Sequence, residues 1–121
     1  MLFTKLKTKA AHLIRGESAE EQAHNFLIDK GLKPISRNFR CKQGELDLIM
    51  ADKQTLVIIE VRFRKTDKYG SAVESITRSK QSRIIAATHV YLASQKTDCP
   101  IRFDVVAISG DDRIDWIQNA F

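Results

Sequence analysis

The sequence predicts an α/β domain in which a mixed five-stranded sheet is flanked by helices. Three observations carry this. The elements follow one another as helix, three strands, helix, two strands, an order that calls for a sheet covered by helices. Two runs rich in Leu, Ile and Val flank the polar turn Asp52-Lys53-Gln54-Thr55 and read as a β-hairpin. A chain of 121 residues, 43% hydrophobic and 29% charged, suits one domain with a modest core and leaves no room for a second. Residues 1–15 form a basic N-terminal segment and 16–121 the domain itself.

The N-terminal segment MLFTKLKTKAAHLIRG carries positive charge but only short apolar runs, too brief for a signal-peptide core or a membrane span. The chain therefore reads as soluble and cytoplasmic. Lys5, Lys7 and Lys9 would suit a basic arm that settles on phosphates, although a frayed, solvated terminus is the simpler account.

The first helix starts after Gly16 or Ser18 and runs through AEEQAHNFLIDK to Gly31, a residue suited to a C-terminal cap. Ala19, Ala23, Phe26 and Leu27 form its buried stripe. At roughly 100° per residue Glu20 lies on the edge of that stripe and Glu21 points away, so Glu20 can reach an internal site. Acids in a first turn are also explained by the helix dipole alone. His24, one turn beyond Glu20, reads better as a partly exposed helical histidine than as a ligand. From Leu32 to Arg40 the chain looks extended, because Pro34 excludes helix and the apolar residues are widely spaced; a short first strand is expected. Cys41-Lys42-Gln43-Gly44 then turns the chain into the hairpin.

That hairpin, GELDLIMADKQTLVIIEVRFR from Gly44 to Arg64, carries acid where buried strands carry hydrocarbon. Glu45 and Asp47 are two apart and share a face in a regular strand, as do Glu60, Arg62 and Arg64. If Lys53-Gln54 closes the turn, Ala51 pairs with Leu56 and Asp47 falls opposite Glu60. A slip of one residue would separate the two acids. Opposed carboxylates in a sheet call for a compensating cation, either a hard divalent metal or a basic side chain such as Arg62.

The segment from Lys65 to Ser75, with Lys65, Lys68, Tyr69 and Gly70, suits contact with a nucleic-acid backbone or an ordinary mobile connection. A second helix is expected from Ser75 to Ser94, its inward stripe Ile84, Ile85, Thr88, Tyr91 and Leu92. Lys80 leads into that stripe, where it either snorkels to solvent or extends into the acidic site. Arg78 and Arg83 face elsewhere and suit phosphate contacts or a solvated surface. Strands follow over Ile101–Ser109 and Arg113–Ile117, joined by Gly110-Asp111-Asp112. The net charge of +5 and a pI near 9.4 favour polyanionic partners such as nucleic acid. Cys41 and Cys99 have neither a metal-site spacing nor a disulfide framework and read as small reduced residues.

Glu20 on an early helix, Asp47 within GELDLI, and Glu60-Val61-Arg62 ending an apolar strand together resemble the PD-(D/E)XK nuclease superfamily. More closely, the chain is similar to the bacterial UPF0102, or YraN-like, family, itself similar to archaeal Holliday junction resolvases. The resemblance runs from Glu20 to about Ile108 through Arg37-Asn38, Gly44-Glu45, Lys80-Gln81, the helix from Ala86-Ala87 to Tyr91-Leu92, and Arg102-Phe103-Asp104-Val105-Val106. It implies a restriction-endonuclease-like fold. It also implies that Asp47, Glu60 and the Val61 carbonyl hold Mg²⁺ or Mn²⁺, with Glu20 bound directly or through water, and that Glu45 and Gln81 support the site. Where the superfamily has a lysine this chain has Arg62, which stays protonated and acts only electrostatically. Lys80, where the family also has a lysine, would supply the missing ammonium; alternatively Arg62 forms a salt bridge with Glu60 or Asp47 in a site that no longer catalyses.

Three functions follow from these residues. The first is a metal-dependent endonuclease or resolvase acting on branched or structured DNA, with a symmetric homodimer matching its substrate. Arg64, Lys65, Lys68, Arg78 and Arg83 would contact the nucleic acid. The second is a catalytically inactive nucleic-acid-binding protein of the same fold. In the third, the acids and Arg62 form a structural ion network in an adaptor.

Overall fold

The computed structural model describes residues 17–64 and 75–121. The N-terminal segment with Lys5, Lys7 and Lys9, and the loop residues Lys65 and Lys68, lie outside the described residues.

Helix α1 (Glu17–Asp29) packs Ala19, Ala23 and Leu27 into the core, as its periodicity predicts. Gly31 ends it with φ +102°, a conformation that costs a Cβ-bearing residue far more. Leu32 N donates to Leu27 O and Gly31 N to Ile28 O, which together make a Schellman cap closed by the Leu27–Leu32 apolar contact. Phe26 is half-buried, its ring edge-on to Trp116 at 6.4 Å.

Strands β1 (Lys33–Cys41), β2 (Gly44–Asp52), β3 (Thr55–Arg64), β4 (Ile101–Ser109) and β5 (Ile114–Ile117) form one sheet in that spatial order. All neighbours are antiparallel except β3 and β4, which run parallel and are connected through helix α2 (Arg78–Gln95). This is the mixed five-stranded α/β sheet the sequence predicts. The first strand is longer than expected. Pro34 is tolerated because β1 is an edge strand whose register shifts between Pro34 and Ser36.

The second helix begins three residues later than predicted. Thr77 is its N-cap and accepts from Lys80 N at 3.1 Å, which removes Ser75 and Ile76 from the helix. Its buried stripe is Ile84, Ala87, Thr88 and Tyr91; Ile85, expected inward, is exposed. Thr88 spends its hydroxyl on Ile84 O at 2.8 Å.

Two cores lie on the two faces of the sheet. Against α1 sit Leu48, Met50, Val57, Ile59, Val106 and Ile108; against α2 sit Leu46, Ile49, Ile58, Val105 and Ala107. On the α1 face a fully buried carboxylate, Asp104, ties the sheet's far edge together. It accepts from Arg102 Nε at 3.0 Å, Trp116 Nε1 at 2.9 Å and Asn119 N at 2.9 Å, while Arg102 also reaches Asp52 at 3.0 Å. Among the described residues, no helix is long and apolar enough to cross a membrane.

Asp104→Ala would leave the Trp116 and Asn119 N–H groups without their acceptor and the Arg102 guanidinium with Asp52 alone, and is expected to destabilise the fold by about 3–5 kcal/mol. Urea denaturation followed by circular dichroism measures it.

Candidate functional site

The sheet forks at the acidic residues. The register between β2 and β3 is the predicted one, Ala51 on Leu56, and it continues to Leu48 on Ile59. Beyond that pair β2 keeps only β1, to Cys41–Gly44, while β3 keeps only β4, to Arg64–Ser109. Asp47 and Glu60 are the first residues past the split. Asp47 Oδ2 accepts the Val61 N–H at 2.9 Å, so a carboxylate stands where a strand carbonyl would otherwise be. The backbone donor is thereby satisfied although the strands part.

The other side of β2 is irregular at the same level. Between the pairs Arg37–Leu48 and Phe39–Leu46 stand Asn38 and Asp47, and Asn38 has φ +56°. Leu48 packs toward α1 but Leu46, two residues away, packs toward α2. Strict alternation therefore breaks at Asp47. Glu45 bears on the Asp47 carboxyl through its charge and pairs with Arg40 at 3.4 Å.

Glu60 is 5% exposed, in the middle of the sheet. Burial, and next the Asp47 charge, push its carboxyl up to about 7, against the opposing pull of Lys80 and Arg62. Burial also raises Asp47, with the Val61 N–H and Lys80 pulling the other way. Each carboxyl acts on the other: the Asp47 charge raises Glu60, and Glu60 in turn is among the groups that bear on Asp47. Lys80 Nζ, from α2, lies 3.5 Å from Glu60 Oε1. Of the two orientations the sequence allowed for Lys80, the structure takes the one toward the acidic site.

Glu20 approaches from α1. Burial and then the Asp47 charge raise its carboxyl, while Asn38 opposes them. With its amide nitrogen toward Glu20, Asn38 donates at 3.1 and 3.2 Å to the two carboxylate oxygens. Glu20 is thus within the field of Asp47 but turned to Asn38. Among the described residues, no group of three or more His, Cys, Asp or Glu side chains is arranged to hold a metal ion.

Arg62 follows Glu60 on the strand. It forms no ion pair with Glu60 or Asp47 among the described residues, and its Nε is buried without a hydrogen-bond partner. The salt bridge that the sequence allowed for Arg62 is made by Lys80 instead. Gln81 Nε2 donates to Ile76 O at 3.1 Å and so closes the start of α2, which carries Lys80. Arg64 is half-buried at the end of β3, and Arg78 and Arg83 are exposed on α2. His24 is half-buried; burial and Arg37 lower its pKa while Glu21 raises it. Sequence reasoning missed Asn38 as the partner of Glu20. The usable signal was an asparagine between Arg37 and Phe39 in an otherwise strand-forming run, since asparagine tolerates left-handed backbone.

A mixed sheet that splits around facing carboxylates, with a helix on each face, is a restriction-endonuclease-like α/β fold. The model of the uncharacterised protein family UPF0102 matches residues 19–108. The chain belongs to this family. It is 48% identical over 114 residues to a UPF0102 protein of Saccharophagus degradans, covering 93% of this chain and 96% of that one. A UPF0102 protein of Nitrosomonas europaea is 47% identical over 109 residues, 88% and 92% of the two chains. One of Nitrosococcus oceani is 46% identical over 119 residues, 93% and 94%. These names give the family and no activity.

Because Glu60 titrates near 7 in the fold and at the ordinary 4.5 when unfolded, the native state holds the extra proton between those values. Its contribution to stability is therefore lost as pH rises from about 4.5 through about 7. Glu60→Gln cannot ionise. Its melting temperature relative to the wild type is expected to rise from pH 5 to pH 8, as thermal denaturation at both pH values measures.

Proposed function

We propose that this protein is a metal-dependent endonuclease acting on structured DNA by phosphodiester hydrolysis. The observation that carries the reading is that Asp47 and Glu60 stand together as the first residues past the fork of the sheet, Asp47 on the Val61 N–H and Glu60 with Lys80 at 3.5 Å. Two such carboxylates, the charge of one raising the other, are hard oxygen donors prepared for a cation. Mg²⁺ is commonly held by one or two protein carboxylates, with water and substrate phosphate completing its shell, so this donor set fits. Asp47 and Glu60 would hold the ion, the Val61 carbonyl would add an oxygen, and Glu20 would join through water. When bound, Mg²⁺ or Mn²⁺ supplies Lewis-acid polarisation of the phosphodiester and a more acidic water.

The chain's own cations do the rest. Arg62 has a buried Nε without a partner, and a phosphate oxygen is the acceptor that a planar guanidinium fits best. It would orient the phosphodiester and stabilise the charge that builds on its oxygens during attack. Lys80, already at Glu60, would keep the pair anionic as the proton leaves. The net charge of +5 would favour approach of the polyanion.

A second reading, a nucleic-acid-binding protein without chemistry, is favoured by one observation. Lys80 stands 3.5 Å from Glu60, so an ammonium already serves as counter-ion at the site. The adaptor reading, in which the acids and Arg62 form an ion network, keeps the Arg62 charge acting on Glu60 but, among the described residues, no ion pair between Arg62 and either carboxylate.

Purified protein incubated with four-way junction, flapped and linear DNA, with and without Mg²⁺ or Mn²⁺, separates the two. Metal-dependent cleavage abolished by Asp47→Ala is expected; binding without cleavage under every metal condition favours the second reading. Arg62→Ala is expected to leave stability within about 1 kcal/mol, because it removes an unpaired buried donor and no ion pair. The same substitution should slow cleavage on the order of 10²-fold.

A further inference from the structure

A second concavity shares Lys80 with the fork. It has a volume of about 350 Å³ and is lined by Arg40, Gly44, Glu45, Lys80 and Arg83, among others. Its walls come from two elements, the turn between β1 and β2 on one side and the start of α2 on the other. Gly44 lets them close. A Cβ there would meet Arg83 O at 3.0 Å and Arg83 Cβ at 3.3 Å, so any larger residue would force the helix away from the turn. The close seam fixes the base of Arg83 against the strand pair that presents Arg40.

Three cations and one carboxylate face this space. Glu45 and Arg40 lie 3.4 Å apart at the solvent-exposed rim, where such a pair holds weakly. Lys80 leans toward Glu60. Arg83 is exposed and enters no ion pair among the described residues. The groove therefore presents two guanidinium groups, each able to take an anion's oxygens two at a time. Its size admits a group larger than a bare ion.

We propose that this groove seats a backbone phosphate, with its sugar, of the nucleic-acid strand whose neighbouring phosphate lies at the Asp47–Glu60 fork. The inference rests on the nucleic-acid reading above and adds Arg40, Arg83 and Gly44 to it. An acidic peptide would also suit arginines. The shared Lys80 favours the nucleic acid, because it sets two anion positions within reach of one side chain, the arrangement that consecutive phosphates of a single strand supply.

The test measures binding of a fluorescently labelled four-way DNA junction by anisotropy in EDTA, across a range of salt. The full chain is compared with the double variant Arg40→Ala/Arg83→Ala. A control of equal charge, Lys53→Ala/Arg113→Ala, removes two exposed cations at the β2–β3 and β4–β5 turns. The groove variant is expected to bind at least fivefold more weakly, with a salt slope smaller by about 2, roughly 0.9 per lost phosphate contact. The control is expected to change affinity less than twofold. Equal weakening by both variants would reduce the effect to bulk charge and overturn the proposal, as would wild-type binding by the groove variant. Displacement of the junction by a poly-glutamate peptide at equal charge concentration would overturn it in favour of an acidic partner. Should the wild type bind no DNA at low salt, the nucleic-acid reading and the groove fall together. Groove-dependent binding without cleavage in Mg²⁺ would remove the chemistry and leave the groove standing.

Discussion

Two carboxylates brought together inside a sheet are costly first because each is taken out of water and next because the charge of one bears on the other. The geometry of this protein is arranged around that cost. Asp47 and Glu60 can stay together only with positive charge between or beside them. A proton on Glu60 fills that position at the acid end of the range, the Lys80 ammonium fills part of it, and a divalent cation would fill it completely. The fork of β2 from β3 makes the arrangement possible, because a regular ladder past Leu48–Ile59 would use the Val61 N–H that now donates to the Asp47 carboxylate. The price is an interrupted sheet, and it is confined to one level.

A second buried carboxylate shows what a structural solution looks like in the same fold. Asp104 lies one level away from Glu60, its β3 partner being Ile59 and that of Glu60 being Val105. It is fully buried on the α1 face, held by the Arg102 guanidinium, the Trp116 indole and the Asn119 amide. Glu60, on the α2 face, has one lysine at 3.5 Å and another acid as its neighbours. The chain can supply a saturating set of donors to a buried acid and does so at Asp104. Leaving Glu60 under-supplied, with the Arg62 Nε buried and unpaired beside it, departs from the local consistency that stabilises the rest of the sheet, and such departures concentrate where a protein does something.

Much of this was legible in the sequence. The polar tip Lys53-Gln54 fixes the hairpin register, and that register alone brings Asp47 to Glu60. The helical stripe of Ala19, Ala23 and Leu27 placed Glu20 at the site's edge, and Gly31 marked the helix end. What could not be read depended on contacts distant in the chain. Alternation along β2 predicts one face for Leu46 and Leu48, but they enter opposite cores, and the break between them is level with the left-handed Asn38 on the neighbouring strand. The inward stripe of α2 contains Ala87 rather than Ile85, because the face set by Ile84, Thr88 and Tyr91 takes in Ala87 at i+3 and leaves Ile85 about 100° from Ile84. The partner of Glu60 was also open, since Arg62 is closer in sequence than Lys80. On a strand, residues two apart point the same way in parallel, so Arg62 stands alongside Glu60, whereas a lysine arriving from a helix across the face can meet the carboxylate head-on.

That division between the two cations has a mechanistic consequence. Lys80 is engaged with Glu60 in the free protein, so an arriving phosphate would have to compete with a carboxylate for it. Arg62 has no such partner among the described residues, and a phosphate that accepts from its Nε breaks no ion pair there and relieves a buried donor left unsatisfied. Arg62 is thus suited to electrostatic work on a phosphate, as the proposed function requires. The ammonium is held one helix away, where it steadies the acid pair instead. Separating the roles in this way lets a permanently charged guanidinium occupy a position next to the carboxylates without neutralising them. It also makes the end of α2, fixed by the Thr77 cap, the Gln81–Ile76 bond and the glycine seam at Gly44, a determinant of the site's charge balance, because those three contacts set how far Lys80 stands from Glu60.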